Sequence, residues 1–340
     1  MKINTGVNLG GWISQYGEYD SKHFDTFIQE EDIKQIADWG IDHIRLPIDY
    51  PVIVDEKDFT YKEKGFEYID RCIKWCQKVG LSIVLDLHQT PGYSFTSLES
   101  NNLFVNPEMQ EEFIEIWKEF SRRYSSEGED VIFELLNEIV EPDSSRWNKL
   151  AHETINAIRE LDEDRVIIYG GNYYNSIFEL ENIQLVDDPN VVYTFHYYLP
   201  LLFTHQKASW SPITSDFDSV FKYPGEIPGL SEKVEEKPEL YSYEKRYIGQ
   251  EMNKELLRRE LKPALDFIAE TGREVYCGEF GVIERVDRES RLNWHRDFIE
   301  LLNEYNIPRA VWTYKEMDFR LVDHDSNVVD EELVNIVSSS

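Results

Sequence analysis

"VIFELLNE", residues 131–138, has the makings of a short buried strand that ends in two polar side chains. Val131, Ile132, Phe133, Leu135 and Leu136 are apolar, and such β-branched and aromatic runs favour a pleated, buried backbone. Burial penalises an amide and a carboxylate that are neither hydrogen-bonded nor used, so Asn137 and Glu138 need a reason to stand there. A second stretch has the same form: "EVYCGEF", residues 274–280, runs from apolar residues into Glu279. The pair predicts two glutamates facing one cleft.

Outward from these segments the same rhythm repeats. Candidate strands begin near Ile3, His43, Ser82, Val131, Val166, Val191, Val275 and Arg309, with amphipathic stretches between most of them. "EEDIKQIADWG" and "KGFEYIDRCIKWCQKVG" each close on a glycine stop, and "NPEMQEEFIEIWKEFSRRY" opens on Asn106 as an N-cap followed by Pro107. "DSSRWNKLAHETINAIREL" and "RESRLNWHRDFIELLNEY" are helical by the same criterion. Eight strands alternating with helices predict a parallel α/β fold, and that number in 340 residues matches a (β/α)8 barrel. "GGW" and "YGGN" lack the spacing of a dinucleotide-binding glycine loop.

The chain is read as one catalytic domain over residues 1–340, interrupted once. From 201 to 254 aromatics, prolines and a highly charged run replace the rhythm. This is far beyond the usual βα loop of about 2–6 residues. It is expected to be an inserted, partly helical subdomain after the sixth strand, lying over the catalytic face.

Composition narrows the partners. With 41% hydrophobic residues the chain can bury a large core, and its formal net charge of −31 disfavours nucleic acid and anionic membranes, which need basic patches. Three cysteines, Cys72, Cys76 and Cys277, make neither a disulfide framework nor a zinc site. Cys277 is expected to pack beside Glu279 on the same strand face. No 18-residue apolar segment and no export signal are present, so the expectation is a cytoplasmic protein or one whose leader has been removed.

Each strand, followed to its end, supplies a polar or aromatic side chain: Arg45, His88, Asn137 with Glu138, His196 with Tyr198, Glu279 and Trp312. Singly, each histidine fits a hydrogen-bonded core residue and Arg45 a structural ion pair. Together they fall at the C-terminal end of one barrel, where such folds carry their active sites. Two carboxyl groups without a nucleophilic serine or cysteine motif suit glycoside hydrolysis, where one carboxyl donates a proton and the other is ionised. Proximity pushes their pKa values apart. Arg45 near Glu279 would keep it anionic, Tyr198 would orient it, and the neutral Asn137 would contact a sugar hydroxyl. Among rival glutamates, Glu134 is expected to be buried and ion-paired, and Glu141 and Glu284 solvated in loops.

Trp39, Trp75, Trp117, Trp147 and Trp294 sit in helical patterns and are expected in the core. Trp12, Trp210 and Trp312 sit at strand ends or in loops and are candidate sugar platforms, with Tyr93 and Phe203 as weaker ones.

"HIRLP", "LDLH", "ELLNE", "FHYY", "YCGEFGV" and "AVWTY", in this order, resemble glycoside hydrolase family 5 over essentially the whole chain. "LLNEIVEPDSSRW", "FTHQKASW", "KYPG" and "KELLRRELKPA" resemble more closely still the bacterial endoglucanases of that family that carry an insert after strand six. The resemblance implies Glu138 as acid/base and Glu279 as nucleophile of a retaining double displacement. Arg45, His88, Asn137, His196, Tyr198 and Trp312 become the supporting set. It further implies action on β-1,4 linkages of cellulose-like or mixed-linkage β-1,3-1,4-glucan, without metal or organic cofactor; the chain is expected to be a monomer. "NEIVEP" departs from a direct NEP and leaves the loop path after Glu138 open. A β-mannanase with the same catalytic set, a metal-dependent barrel using Asp86, His88, His196 and Glu279, and a non-catalytic carbohydrate-binding barrel are the alternatives.

Overall fold

The expected strands form and close. In the computed structural model, which describes residues 1–339, they are β1 (Thr5–Asn8), β2 (His43–Asp49), β3 (Ser82–Gln89), β4 (Val131–Glu134), β5 (Ile167–Gly170), β6 (Val191–Tyr197), β7 (Val275–Phe280) and β8 (Arg309–Val311). Each pairs in parallel with its neighbours in chain order, and β8 returns to β1 to close the barrel. The apolar strands are continuous because both faces are covered: the interior on one side and helices on the other.

The main covering helices are Glu30–Asp38, Glu63–Val79, Pro107–Tyr124, Ser144–Arg159, Lys254–Glu260 with Lys262–Thr271, Arg288–Glu304 and Glu331–Val337. Asn106 caps the third of these, its side chain accepting from the Glu108 amide at 3.0 Å. Gly80 ends the second in the left-handed region at φ 75°. After β5 the chain makes only short turns, Asn172–Asn175 and a 3-10 helix at Ile177–Asn182. No helix among the described residues is long and apolar enough to cross a membrane.

Side-chain alternation along the strands stacks the barrel interior in layers. The floor is an apolar cluster of Ile3, Val84, Ile132, Ile168, Val192, Tyr276 and Ala310. His43 lies among them, its Nε2 3.0 Å from the Tyr276 hydroxyl; Gly6 leaves it room, since a Cβ there would come within 2.2 Å of the imidazole. Two residues further along the strands stand Arg45, Asp86, Glu134, Thr194 and Asn8, all buried.

The alternation predicts that Cys277 and Glu279 share a face, and the structure corrects this. Phe195 pairs with Cys277, but the next residue, His196, pairs with Glu279. This one-residue bulge lets Cys277 join the helix-side core while Glu279 turns into the barrel.

Between β6 and the helix at Lys254 lie short helices at Leu201–Thr204, Pro212–Asp216 and Leu230–Glu236, and a two-stranded pairing of Gly225–Glu226 with Glu251–Met252. Phe203, Phe217, Phe221, Tyr223, Leu230 and Tyr241 are buried there. Asp216 ties the segment together by accepting from Lys233 (3.1 Å), Tyr241 (2.9 Å) and Lys237. The Tyr223 hydroxyl, donating to Asp297 at 2.7 Å, fastens it to helix Arg288–Glu304.

Candidate active site

Arg45 is the centre from which the cleft is built. Its guanidinium donates from Nε to Glu134 Oε2 at 2.7 Å and from Nη2 to Glu134 Oε1 at 2.9 Å, and Asp86 Oδ2 lies 3.1 Å away. The fork thus anchored below reaches upward. Nη1 donates to Glu279 Oε1 at 2.8 Å and to Asn8 Oδ1 at 2.9 Å, and Nη2 to Asn137 Oδ1 at 2.8 Å. A planar, permanently charged five-donor group suits this; an ammonium has no such fork. Glu134 is therefore the buried, ion-paired residue that its depth along β4 predicts.

Above Arg45 the two candidate carboxyl groups meet. Glu138, His196 and Glu279 bring one ligand-type atom each within 4.8 Å of one another. His196 Nδ1 is 2.9 Å from Glu138 Oε1 and 3.7 Å from Glu279 Oε2. The Tyr198 hydroxyl donates to Glu279 Oε2 at 2.9 Å. The trio has the donor types of a cation site, but Arg45 already places a positive charge on Glu279. Asp86 and His88 lie outside it, bonded to each other at 2.6 Å.

These partners make the carboxyl groups unequal. Burial, reinforced by the Glu279 charge, raises Glu138 well above the ordinary carboxylate range. Burial raises Glu279 too, but Arg45 opposes this, helped by the Tyr198 hydrogen bond. Glu138 is thus the better proton holder and Glu279 the better anion. Burial keeps both histidines neutral: His88 falls to about 3 and His196 well below its usual value. Each has a buried Nε2 without a protein hydrogen-bond partner.

Trp312 follows β8 and lies parallel to the His88 ring, 5.8 Å between centroids and 5° between planes. Gly10 makes room for it: a Cβ there would sit 2.7 Å from the indole. Arg45, His88, Asn137, Glu138, His196, Tyr198, Glu279 and Trp312 therefore gather at the C-terminal mouth.

Trp12 does not. It is fully buried, its Nε1 donates to the Phe24 carbonyl at 2.8 Å, and it stacks on Trp75 at 6.3 Å, so no sugar can reach its face. Tyr93 and Phe203 are likewise buried; Tyr93 is occupied in accepting the Val140 amide at 2.7 Å. Trp210 is 54% exposed on the inserted segment, beside His205, whose ring packs on Tyr198 at 4.9 Å. Glu141 and Glu284 are less solvated than their loop positions predict, because Arg146 lies 3.6 Å from the first and Arg320 2.9 Å from the second. Asn8, missed in the sequence, obeys the same strand-end pattern as the others. His205 has no such signal.

The chain has relatives among known proteins. Residues 4–318 match the family described as cellulase (glycosyl hydrolase family 5). Endoglucanase C of Acetivibrio thermocellus is 50% identical over 339 residues, 99% of this chain and 98% of its own. Cellodextrinase A of Ruminococcus flavefaciens is 37% identical over 90% of this chain and 84% of its own. The solved structure of endoglucanase Cel5A from Thermotoga maritima superposes with a TM-score of 0.79 at 24% identity, covering 98% of this chain and 96% of that one, which shows the shared fold.

Proposed function

The chain belongs to the cellulase family of glycosyl hydrolases, family 5, and from that premise we propose that it is a retaining endo-β-glucanase cutting β-1,4 linkages in cellulose-like or mixed-linkage chains. The observation that carries the mechanism is the unequal support of the two carboxyl groups across a short gap. A retaining pair stands about 5–5.5 Å apart, against about 6.5–9.5 Å where a water must fit between. The atoms of Glu138 and Glu279 that lie within 4.8 Å of each other favour the shorter arrangement.

In the first step Glu279 attacks the anomeric carbon while Glu138 gives its proton to the leaving oxygen. The glycosidic bond breaks as the Glu279–sugar ester forms. Arg45 and Tyr198 keep Glu279 ionised and aimed before the attack. In the second step Glu138, now a carboxylate, takes a proton from water, and the resulting hydroxyl displaces Glu279. Asn137 has its Oδ1 taken by Arg45, so its Nδ2 is free to donate to the sugar 2-hydroxyl as charge develops. Trp312 offers its face to the apolar side of the pyranose. The inserted segment, with Trp210 exposed, serves as one wall of the cleft.

The test is release of reducing ends from mixed-linkage β-glucan, a soluble cellulose derivative and β-mannan, with Glu279→Ala as blank. Activity on glucans that vanishes in the blank and gives a first product of β configuration supports the reading. An α product overturns retention. Preference for mannan overturns the substrate and keeps the chemistry.

A further inference from the structure

β7 carries one residue more than the strands beside it. Cys277 pairs with Phe195 of β6 and with Arg309 of β8; pairing then resumes at Glu279 on the β6 side and at Phe280 on the β8 side. Gly278 pairs with neither strand, so it is the bulged residue, and Glu279 follows it directly. A bulge re-aims the side chains next to it, and the buried carbonyl of a residue outside the regular ladder still needs a donor. Gly278 is buried, and Asn8 supplies that donor.

Asn8 ends β1, on the far side of β8, and is fully buried. Its Nδ2 donates to the Gly278 carbonyl at 3.0 Å and lies 3.3 and 3.2 Å from the carbonyls of Ala310 and Val311. Its Oδ1 accepts from Arg45 Nη1 at 2.9 Å, and that same nitrogen donates to Glu279 Oε1 at 2.8 Å. One amide thus holds Glu279 twice, through the peptide behind it and through the guanidinium in front of it. A carboxylate has no donor for the carbonyls, and an ammonium has no acceptor for Arg45. On the β6 side a Cβ at Gly278 would come within 3.1 Å of Thr194 Oγ1 and 3.3 Å of His196 Nε2. The bulge is therefore packed closely there, and Asn8 holds it from the other side.

We propose that Asn8 is a positioning residue for Glu279, fixing the Gly278 bulge and Arg45 Nη1 together and so setting the line of attack on the anomeric carbon. This rests on the reading of Glu279 as the nucleophile. Being fully buried, Asn8 acts through Glu279 and not by contact with sugar.

The test uses β-cellobiosyl fluoride whose 2-hydroxyl on the reacting ring is replaced by fluorine. The Glu279 carboxylate bonds to the anomeric carbon and fluoride leaves with the bonding pair. The second fluorine slows the hydrolytic step, so labelled protein accumulates. The first-order rate constant of labelling under excess reagent does not depend on the folded fraction, so a merely structural defect leaves it unmoved. Asn8→Ala removes both contacts. Asn8→Asp keeps the shape, loses the donor to Gly278 and sets a further carboxyl beside Arg45.

The maximal labelling rate should fall about 10- to 100-fold in both variants, the scale of a misplaced reacting group, with half-saturation near wild type. Its acid limb should move to higher pH in Asn8→Asp alone, because the new carboxylate competes with Glu279 for Arg45. Labelling at the wild-type rate, or a loss confined to half-saturation, overturns the proposal; if Asn8→Ala does not fold, the isosteric Asn8→Asp decides. A label found by mass spectrometry on a residue other than Glu279 overturns the nucleophile reading instead.

Discussion

Arg45 Nη1 donates to Glu279 Oε1 across 2.8 Å, and Glu134 grips the same guanidinium from beneath through two hydrogen bonds. One cation thus faces three buried carboxyl groups, those of Asp86, Glu134 and Glu279. Arg45→Lys keeps the charge and loses the fork. Chemical denaturation should show a loss on the order of 2–4 kcal/mol, since buried carboxylates lose their donors. Arg45 opposes the upward push of burial on Glu279, so weakening it raises the pH at which Glu279 protonates. The acid limb of kcat/KM should move to higher pH.

Under the proposed mechanism, Glu138→Gln removes the proton donor and leaves the nucleophile. Turnover of glucan should fall by about 10²–10⁴, the usual range for a general acid. Fluoride release from β-cellobiosyl fluoride, which needs no strong acid, should persist as a burst. The alkaline limb of the wild-type profile should vanish too. In the proposed mechanism Glu138 works protonated, and its pKa is raised, so wild-type activity should fall as pH rises through it.

Gly10→Ala probes from behind the sugar platform proposed at Trp312. The new Cβ would lie 2.7 Å from the indole, closer than real contacts allow, so the ring must shift. Overpacking of this kind costs about 1–3 kcal/mol. Michaelis constants for oligosaccharides should rise, and the thermal midpoint should drop while the circular dichroism of the folded chain is kept.

Glu244 sits in the inserted segment, 1% exposed, with Oε2 unpartnered. Burial lifts its carboxyl to about 8; Arg246 opposes this and Glu260 adds to it. A folded-state pKa above the unfolded value of about 4.3 means stability that is full below that value and is lost as pH rises through about 8. Glu244→Gln cannot ionise. Its thermal midpoint should sit near wild type at pH 5 and above it at pH 9, by the equivalent of about 1–3 kcal/mol.

Much of this was legible in the chain. Strand starts near His43, Ser82, Val131, Val191, Val275 and Arg309 coincide with the observed ones, because a doubly covered parallel strand must be apolar throughout. The polar residues that end such strands then had one place to go. What was hidden depends on distant partners. The turn of Glu279 into the barrel comes from its register against β6 and β8, which nothing within "EVYCGEF" encodes. Trp12 and Trp312 both follow strands; only the stack on Trp75 and the bond to Phe24 put the first out of reach.

The contact between His205 and Tyr198 has a practical side for anyone exchanging the inserted segment between relatives. The Thr204 hydroxyl donates to the Tyr198 carbonyl at 2.7 Å, and the His205 ring lies against the phenol that orients Glu279. A graft cut at residue 201 would carry the support of Glu279 away with the loop. A seam placed after His205 would exchange the outer wall while retaining both contacts to Tyr198.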